Sequence, residues 1–440
     1  MIAPCAYAML VYSNFKENCM HFTYRHTLYA SYLGYVTQAI VNNLAPLLFL
    51  TFQRELGLSL TEIALLISLN FMVQIAVDLL ASAFADRVGY RAVAAAAHVF
   101  CFIGLAAMGL LPRLMGSPFA GLVTAVCINA VGGGLIEVII SPIVQSLPGE
   151  QKESAMSLLH SFYCWGHVAV VLLSTAFFLV FGLSHWPWLT ALWALLPLFN
   201  FFLFLKVPLR TLNDDQPESH GAAKRISLPV MLLFLLLMVC AGASEQAMSQ
   251  WASLFAEAGL RISKTMGDLL GPCLFAALMG FSRLIYGLSG NRLNLYAAMM
   301  ASGGLCIAGY LLAVFSPIPL LALLGCGLCG FSVGLMWPGT FSLAAKRFPA
   351  GGTAMFAWLA LAGDLGCSLG PGLVGIISGG VQREGGSLLA GILPAIDATQ
   401  LGLKTGLFVA ILFPVVLAVG IYLLKSIVTS KRGGSGYASQ

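Results

Sequence analysis

The sequence predicts an all-α integral membrane protein with twelve transmembrane helices in two pseudo-symmetric six-helix bundles. Three observations support this fold class. Hydrophobic residues make up 59% of the 440 positions and charged residues 9%, whereas a soluble protein carries roughly 25% charged residues. Apolar runs of about twenty residues, the length that spans a bilayer, recur along the whole chain. Several short patterns of the first half also return in the second half.

The apolar runs predict six spans in each half of the chain. The first six are residues 27–52, 61–84, 92–111, 119–146, 155–182 and 187–206, and the last six are 228–256, 267–289, 294–316, 318–345, 353–379 and 402–426. These runs divide the chain into an N-terminal segment (1–25), a first bundle (26–206), a linker (207–227), a second bundle (228–427) and a tail (428–440). The linker contains the longest polar stretch of the sequence, so it separates the two halves.

The distribution of Lys and Arg predicts the orientation, because these residues collect on the cytoplasmic side. With a cytoplasmic N-terminus, the outer side holds only Arg54, Arg113, Arg261, Lys264, Arg383 and Lys404, and most other basic residues lie inside. An even number of spans then places both termini in the cytoplasm. We expect a multi-pass protein of the plasma membrane, specifically the bacterial inner membrane.

Short sequence patterns that recur in both halves indicate an internal duplication. Gly57-Leu58-Ser59-Leu60 before span two returns as Gly259-Leu260-Arg261-Ile262 before span eight, and Gly134-Leu135-Ile136-Glu137 in span four returns as Gly334-Leu335-Met336-Trp337 in span ten. The copies follow 200 to 202 residues later. Other patterns are less informative: Cys326-x-x-Cys329 lies in an apolar run, where Cys is usually a packing residue.

The segment after span two resembles a family signature. Ser82-x-x-x-Asp86-Arg87-Val88-Gly89-Tyr90-Arg91 is similar to the loop-two/three motif of the major facilitator superfamily, although that family usually has Gly in place of Ser82. Gly287 to Arg292 resembles the weaker second copy. The resemblance implies the major facilitator fold and a gating role for Asp86, Arg87, Arg91 and Arg292 at the cytoplasmic ends of the helices.

A narrower resemblance is to the fucose/glucose/galactose–proton symporter branch. Gly134 to Val144, Ser157 to Gly166, Gly242 to Glu245 and Trp337 to Ala344 are similar to spans four, five, seven and ten of that branch. The resemblance implies a role for Glu137 in proton-coupled sugar transport, and it aligns a sugar-binding Asn with Tyr163. One departure is Pro46, which occupies the position of a membrane Asp in the symporter.

Acids inside a membrane are costly unless they are paired or hydrated, so each is a candidate site. Asp78, Glu137, Glu245 and Asp364 are embedded, and Arg283 is the main embedded base. The excess of acids predicts proton coupling, with sodium as an alternative, although an embedded acid can also be structural. Arg283, near the cytoplasmic end of its span, is also a gating candidate. Asp78 fits proton coupling and a brace for the gate near Arg283 equally well.

Polar residues at helical spacing predict a solute cavity. The candidates are Gln38, Asn42 and Asn43 in span one, His160, Tyr163 and His167 in span five, Gln246 and Gln250 in span seven, and the tryptophans Trp251 and Trp337. Such histidines and tryptophans can also be packing or interfacial residues. Amides and indoles suit the hydroxyls and C–H faces of a sugar.

These residues predict a proton-coupled symporter of a small polar solute such as a monosaccharide, working by alternating access. The alternative is a proton-driven exporter of hydrophobic or cationic compounds. The sequence has no His-x-x-x-His motif and no phosphate-binding loop, so we expect no enzyme activity, cofactor or metal. The expected partners are the solute, a proton (or sodium) and the lipid bilayer, with no nucleic acid, and we expect a monomer.

Overall fold

The computed structural model describes residues 22–148, 152–209, 227–289, 294–348, 352–384, 389, 391 and 397–434. Within these ranges the chain is helical, with no strand. Twelve helical segments are long and apolar enough to cross a membrane. The predicted number of spans is therefore confirmed, and each predicted span overlaps its helix with ends that differ by a few residues.

The first six spans are formed by helices Tyr24–Asn43 with Phe49–Leu56, Leu60–Val88, Tyr90–Leu114, Pro118–Ser146, Lys152–Phe181 and Trp186–Lys206. The last six are formed by Leu228–Leu254, Lys264–Asp268 with Leu274–Ser289, Leu295–Phe315, Pro319–Arg347, Gly352–Glu384, and Ala398–Ala410 with Leu412–Gly434. Spans seven and eight contain π-helical turns at Phe255–Gly259 and Leu269–Cys273.

Local signals explain where span one breaks and span two begins. Pro46 lies in the 3-10 turn Ala45–Leu48 that interrupts span one, and it lacks the N–H that would bond the carbonyl of Asn42 four residues earlier. Gly57 then adopts φ +71° to end the span. Ser59 caps span two, because the Glu62 N–H donates to its hydroxyl and its own N–H donates to the Glu62 carboxylate.

The duplication is visible in the packing of the two bundles. Spans three and four approach at Gly104, where a Cβ would overlap the backbone of Asn129. Spans nine and ten approach in the same way at Gly309, which lies against Gly325 and Cys329. Small residues of this kind allow close helix contacts in a membrane, where packing rather than the hydrophobic effect holds helices together.

We name the two ends of the molecule by residues. The Lys264 side contains the starts of spans two and eight, and the Arg87 side contains the end of span two. On the Lys264 side, the two bundles are in contact through spans two and eleven. The Ser68 and Ser368 hydroxyls each donate to the backbone carbonyl of the other residue, at 3.3 and 3.2 Å, and Gly375 lies against Ala64. The molecule is therefore closed on the Lys264 side.

Candidate functional site

Three of the predicted acids meet between the bundles. Carboxylate oxygens of Asp78, Glu137 and Asp364 all lie within 4.8 Å of one another. Asp78 and Glu137 come from spans two and four of the first bundle, and Asp364 comes from span eleven of the second. We call this group the acid triad. Because it includes both bundles, its geometry depends on how they are arranged.

Glycines of span four make room for the acid triad. A Cβ on Gly134 would lie 3.0 Å from Oδ1 of Asp78, and a Cβ on Gly133 would lie 3.1 Å from Oε1 of Gln38. Oδ1 of Asp78 is buried and has no hydrogen-bond partner among the described residues. The Gly133-Gly134 pair thus lets side chains of spans one and two reach the region of Glu137.

Full ionisation of the acid triad is costly unless a cation is bound there. Two unit charges 4.8 Å apart repel by about 3.5 kcal/mol at an effective dielectric constant of about 20. The embedded base Arg283 contacts the fourth predicted acid, Glu245, at 3.5 Å, so its ion pair is with that residue. Carboxylates this close share protons, or they share a bound cation.

A hydrogen-bonded run of amides starts at Glu137. The Gln38 Nε2 donates to Glu137 Oε2 at 3.3 Å and to Gln74 Oε1 at 2.8 Å. The Gln74 Nε2 and the Asn70 Nδ2 both donate to Asn42 Oδ1, at 2.9 and 3.1 Å. Each of these four amide residues is less than 9% exposed, so their polar groups depend on one another for hydrogen bonds.

The run continues into the second bundle. The Gln250 Nε2 donates to the backbone carbonyl of Asn42 at 2.9 Å and to Gln246 Oε1 at 3.0 Å. The Gln246 Nε2 then donates to Glu245 Oε1 at 3.2 Å, and Glu245 contacts Arg283. We call Gln38, Gln74, Asn42, Gln250 and Gln246 the amide chain; it connects the acid triad at one end with the Glu245–Arg283 pair at the other.

The span-five candidates differ in exposure. The Tyr163 hydroxyl accepts a hydrogen bond from Asn43 Nδ2 at 3.3 Å. His160 is exposed and its ring lies edge-on to Tyr35, with centroids 5.2 Å apart. His167 is buried. Tyr163 therefore touches the polar residues of span one, whereas the two histidines do not share one environment.

The two candidate tryptophans occupy different places. Trp251 is fully buried, its Nε1 donates to the Pro371 carbonyl at 3.0 Å, and its ring lies 6.1 Å from that of Phe49 in the other bundle. Trp337 is half-buried and packs against Gly363, next to Asp364 of the acid triad. Trp251 thus belongs to the closed Lys264 side, and Trp337 lies beside the triad.

The predicted gating residues fall in several places. Arg91 donates to the carbonyls of Phe204, Leu205 and Val207 at 2.7 to 2.9 Å, so it joins spans three and six within the first bundle. Arg87 is exposed. Arg292 and the side chain of Asp86 lie outside the described residues. The gating role of this group remains a prediction.

An ionic cluster on the Lys264 side was not singled out from the sequence. Lys264 Nζ donates to Asp268 Oδ1 at 2.9 Å, to the Ser253 hydroxyl at 3.0 Å and to the Leu47 carbonyl of the first bundle at 2.6 Å. Glu257 Oε1 lies 3.1 Å from the same nitrogen. This cluster links span eight to span one. Lys264 and Asp268 lie four residues apart, on one helical face, and this spacing in the sequence could have predicted their ion pair.

Asn70 and Gln74 were not predicted as site residues from the sequence. Together with the predicted acid Asp78 they recur every four residues, which places all three on one face of span two. Gly330-Phe331-Ser332-Val333-Gly334 matches a hydrolase nucleophile motif, but it lies within the helix Pro319–Arg347. Ser332 is buried and donates to the Cys329 carbonyl at 2.7 Å. It therefore lacks the strand–turn–helix setting that exposes such a nucleophile.

One exposed ion pair lies outside the spans on the Lys264 side. Arg261 Nη2 lies 2.8 Å from Asp397 Oδ2. Partial burial acts to raise the pKa of Asp397, but hydrogen bonds from Arg261 and from the Gln400 backbone N–H outweigh it and hold that pKa below its ordinary value. The pair connects the loop before span eight to the start of span twelve, within the second bundle.

Comparison with known proteins identifies the family. The model of the Major Facilitator Superfamily matches residues 31–371. The chain belongs to this superfamily. Its members are transporters, and the chain is accordingly a multi-pass membrane transporter rather than an enzyme. No curated protein matches the chain.

Solved structures share the fold at low identity. A bacterial homolog of the human lysosomal transporter Spinster, in an inward-facing and occupied conformation, has a TM-score of 0.70 at 15% identity over 91% of this chain and 96% of that chain. The nucleoside transporter NupG has a TM-score of 0.67 at 16% identity, over 90% and 98%. The transporter FucP in the outward conformation has a TM-score of 0.59 at 14% identity, over 90% and 98%.

Proposed function

We propose that this superfamily member is a proton-coupled symporter of a small polar solute such as a monosaccharide. The acid triad would carry the proton, and the amide chain would bind the solute. The observation that carries the proposal is the meeting of Asp78, Glu137 and Asp364 within 4.8 Å, at the contact between the two bundles.

The position of the triad supports coupling between protonation and conformation. The distance from the Asp364 carboxylate to those of Asp78 and Glu137 depends on how closely the second bundle packs against the first. A change in the angle between the bundles alters the repulsion among the three carboxylates, and therefore the number of protons that they hold. Protonation in turn favours the arrangement in which they are close, which is the linkage that a coupled carrier needs.

The amide chain supports a solute rich in hydroxyl groups. Each side-chain amide offers two N–H donors and a carbonyl acceptor, a combination that matches hydroxyls, which both donate and accept. Without solute, these amides bond one another from Gln38 to Gln246. A sugar would replace those bonds, and Gln38 would connect solute binding directly to Glu137, at 3.3 Å.

The proposed orientation makes the structure inward-facing. If Lys and Arg mark the cytoplasmic side, the closed Lys264 side faces outward and both termini lie in the cytoplasm of a bacterial inner membrane. Solute would then leave the site on the Arg87 side.

Transport in proteoliposomes tests the proposal. Purified wild-type protein should accumulate a monosaccharide from a panel when an inward proton gradient is imposed. Glu137→Gln should abolish uphill accumulation but retain exchange of labelled for unlabelled solute, because exchange needs no net proton movement. Glu384→Gln, which removes an exposed acid at the end of span eleven, is the control and should behave as wild type.

The same assay separates the alternatives. Unchanged accumulation by Glu137→Gln would refute its role in coupling. Accumulation that follows a sodium gradient instead of a proton gradient would assign the acid triad to sodium. The acid triad also suits an exporter of cationic compounds, since it holds three carboxylates with Arg283 paired elsewhere; proton-driven exchange of lipophilic cations, without sugar uptake, would favour that function.

A further inference from the structure

The guanidinium of Arg283 is poorly satisfied for a charge in the interior of a membrane. Its Nη2 lies 3.5 Å from Glu245 Oε2, a long contact, and its Nε is buried without a hydrogen-bond partner among the described residues. Its other side-chain partner is the Cys164 thiol, which is a weak acceptor. A guanidinium has five N–H donors and cannot be neutralised by deprotonation. An interior charge with so few bonds is costly.

Arg91 shows what a structural arginine looks like in this chain. It donates to three backbone carbonyls at 2.7 to 2.9 Å and ties spans three and six together. Arg283 has no comparable set of bonds to helix carbonyls among the described residues. Its side chain is 22% exposed, so it is not fully enclosed by the protein. Arg283 is therefore placed to bind an anionic partner other than Glu245.

The surroundings of Arg283 belong to the solute region. Through Glu245 it terminates the amide chain at the end opposite the acid triad. Gly280, one turn earlier on span eight, lies against Cys164 of span five, with its Cβ position 3.3 Å away. The neighbouring Tyr163 accepts a hydrogen bond from Asn43 Nδ2 of span one at 3.3 Å. Arg283 thus lies where span eight of the second bundle meets span five of the first.

We propose that the solute carries a carboxylate and that Arg283 binds this carboxylate in place of Glu245, which makes Arg283 a specificity-determining residue. The inference rests on the proposed function, because it assigns hydroxyl groups of the same solute to the amide chain. An arginine fork binds a carboxylate through two parallel N–H···O bonds and distinguishes it sharply from a neutral group. The solute class is a sugar acid or another polyhydroxy carboxylate.

Matched ligand pairs test this assignment on the purified full-length protein. The pairs are D-glucose with D-glucuronate, D-galactose with D-galacturonate, and D-mannose with D-mannuronate, each differing only at carbon six. Calorimetry or thermal shift in detergent gives the affinities. We expect at least one acid to bind about tenfold or more tightly than its neutral counterpart, the ratio expected from a charge-assisted hydrogen bond.

The variants remove the arginine without leaving an unpaired acid. Arg283→Gln combined with Glu245→Gln should reduce the acid-to-neutral affinity ratio to about one while neutral sugars still bind, and Arg283→Lys should keep part of the preference. Arg113→Gln, which removes an exposed arginine at the end of span three, should leave the ratio unchanged. These controls separate a specific contact from a general change in charge.

The outcomes separate this inference from the proposed function. If no acid binds more tightly than its neutral counterpart, or if the preference survives in the double variant, the inference is wrong. Proton-driven accumulation of a neutral sugar together with that result would leave the proposed function standing. Exchange of lipophilic cations without accumulation of any sugar or sugar acid would overturn both.

Discussion

The side-chain amide of Gln250 donates to the backbone carbonyl of Asn42 at 2.9 Å, although the two residues belong to different bundles. The carbonyl is available because Pro46, four residues later, has no N–H to offer it. Pro46 thus exposes an acceptor, and the second bundle occupies it. This bond joins span seven of the second bundle directly to span one of the first, within the amide chain.

Gln250→Ala should weaken solute binding. The substitution removes an amide that the Asn42 carbonyl positions and that would bond the solute in place of Gln246. Each neutral hydrogen bond contributes about 0.5–1.5 kcal/mol, so the loss of its bonds to the solute should raise the half-saturation concentration roughly tenfold. Concentration-dependent uptake in proteoliposomes measures it. Gln400→Ala is the control, since Gln400 bonds Gly259 within the second bundle. Equal half-saturation in the two variants would argue against the amide chain as the binding site.

Pro46→Ala should act through the same bond. Alanine restores an N–H that competes with Gln250 for the Asn42 carbonyl, so the variant should weaken solute binding in the same direction. Because both changes remove one interaction, the double variant Pro46→Ala with Gln250→Ala should be clearly less impaired than the sum of the single effects. A double-mutant cycle on the same uptake measurements checks this, and simple additivity would contradict it.

Gly134→Ala should disturb the acid triad. The added Cβ would lie 3.0 Å from Asp78 Oδ1, from the Gln74 carbonyl and from the Val77 Cβ, so span two must move away from span four. We expect proton-driven accumulation to fall by about tenfold or more, consistent with overpacking that typically costs about 1–3 kcal/mol. Gly304→Ala in span nine is the control, because nothing lies within 4 Å of its Cβ position. Similar loss in both variants would indicate a general helix effect.

Lys264→Met should open the Lys264 side. Lys264 is the charged group that bonds Asp268 and also reaches the Leu47 carbonyl of the other bundle. A cysteine introduced by Thr61→Cys, where span two faces Gly379 of span eleven, should react several-fold faster with a membrane-impermeant maleimide once Lys264 is lost.

Two controls accompany this labelling experiment. Arg261→Gln breaks an exposed ion pair within the second bundle, where surface pairs contribute about 0–1 kcal/mol, and it should not change the rate. The variant Lys264→Met leaves the buried Asp268 carboxylate without its partner. The double variant Lys264→Met with Asp268→Asn removes this unpaired charge, and the faster labelling should persist in it. An unchanged rate with Lys264→Met would show that this ionic cluster does not hold the bundles together.

The polar face that span two contributes to the site could be predicted from helical spacing alone. Asn70, Gln74 and Asp78 follow one another at intervals of four residues, and this spacing correctly indicates a polar face of span two. The partners of that face were not readable. Gln74 bonds Gln38 and Asn42 because Gly133 lets the three helices come close, and the depth and rotation of each helix depend on such small residues in other spans.

The sequence by itself determined the twelve spans and the identity of the embedded charges, because the length and apolarity of a span are local properties that lipid selects directly. Only the tertiary structure decided how those charges are grouped: Asp364 joins Asp78 and Glu137, while Arg283 pairs with Glu245. No local pattern encodes this grouping, since it arises from the angle between two bundles and from the rotation of helices packed through glycines far apart in the chain.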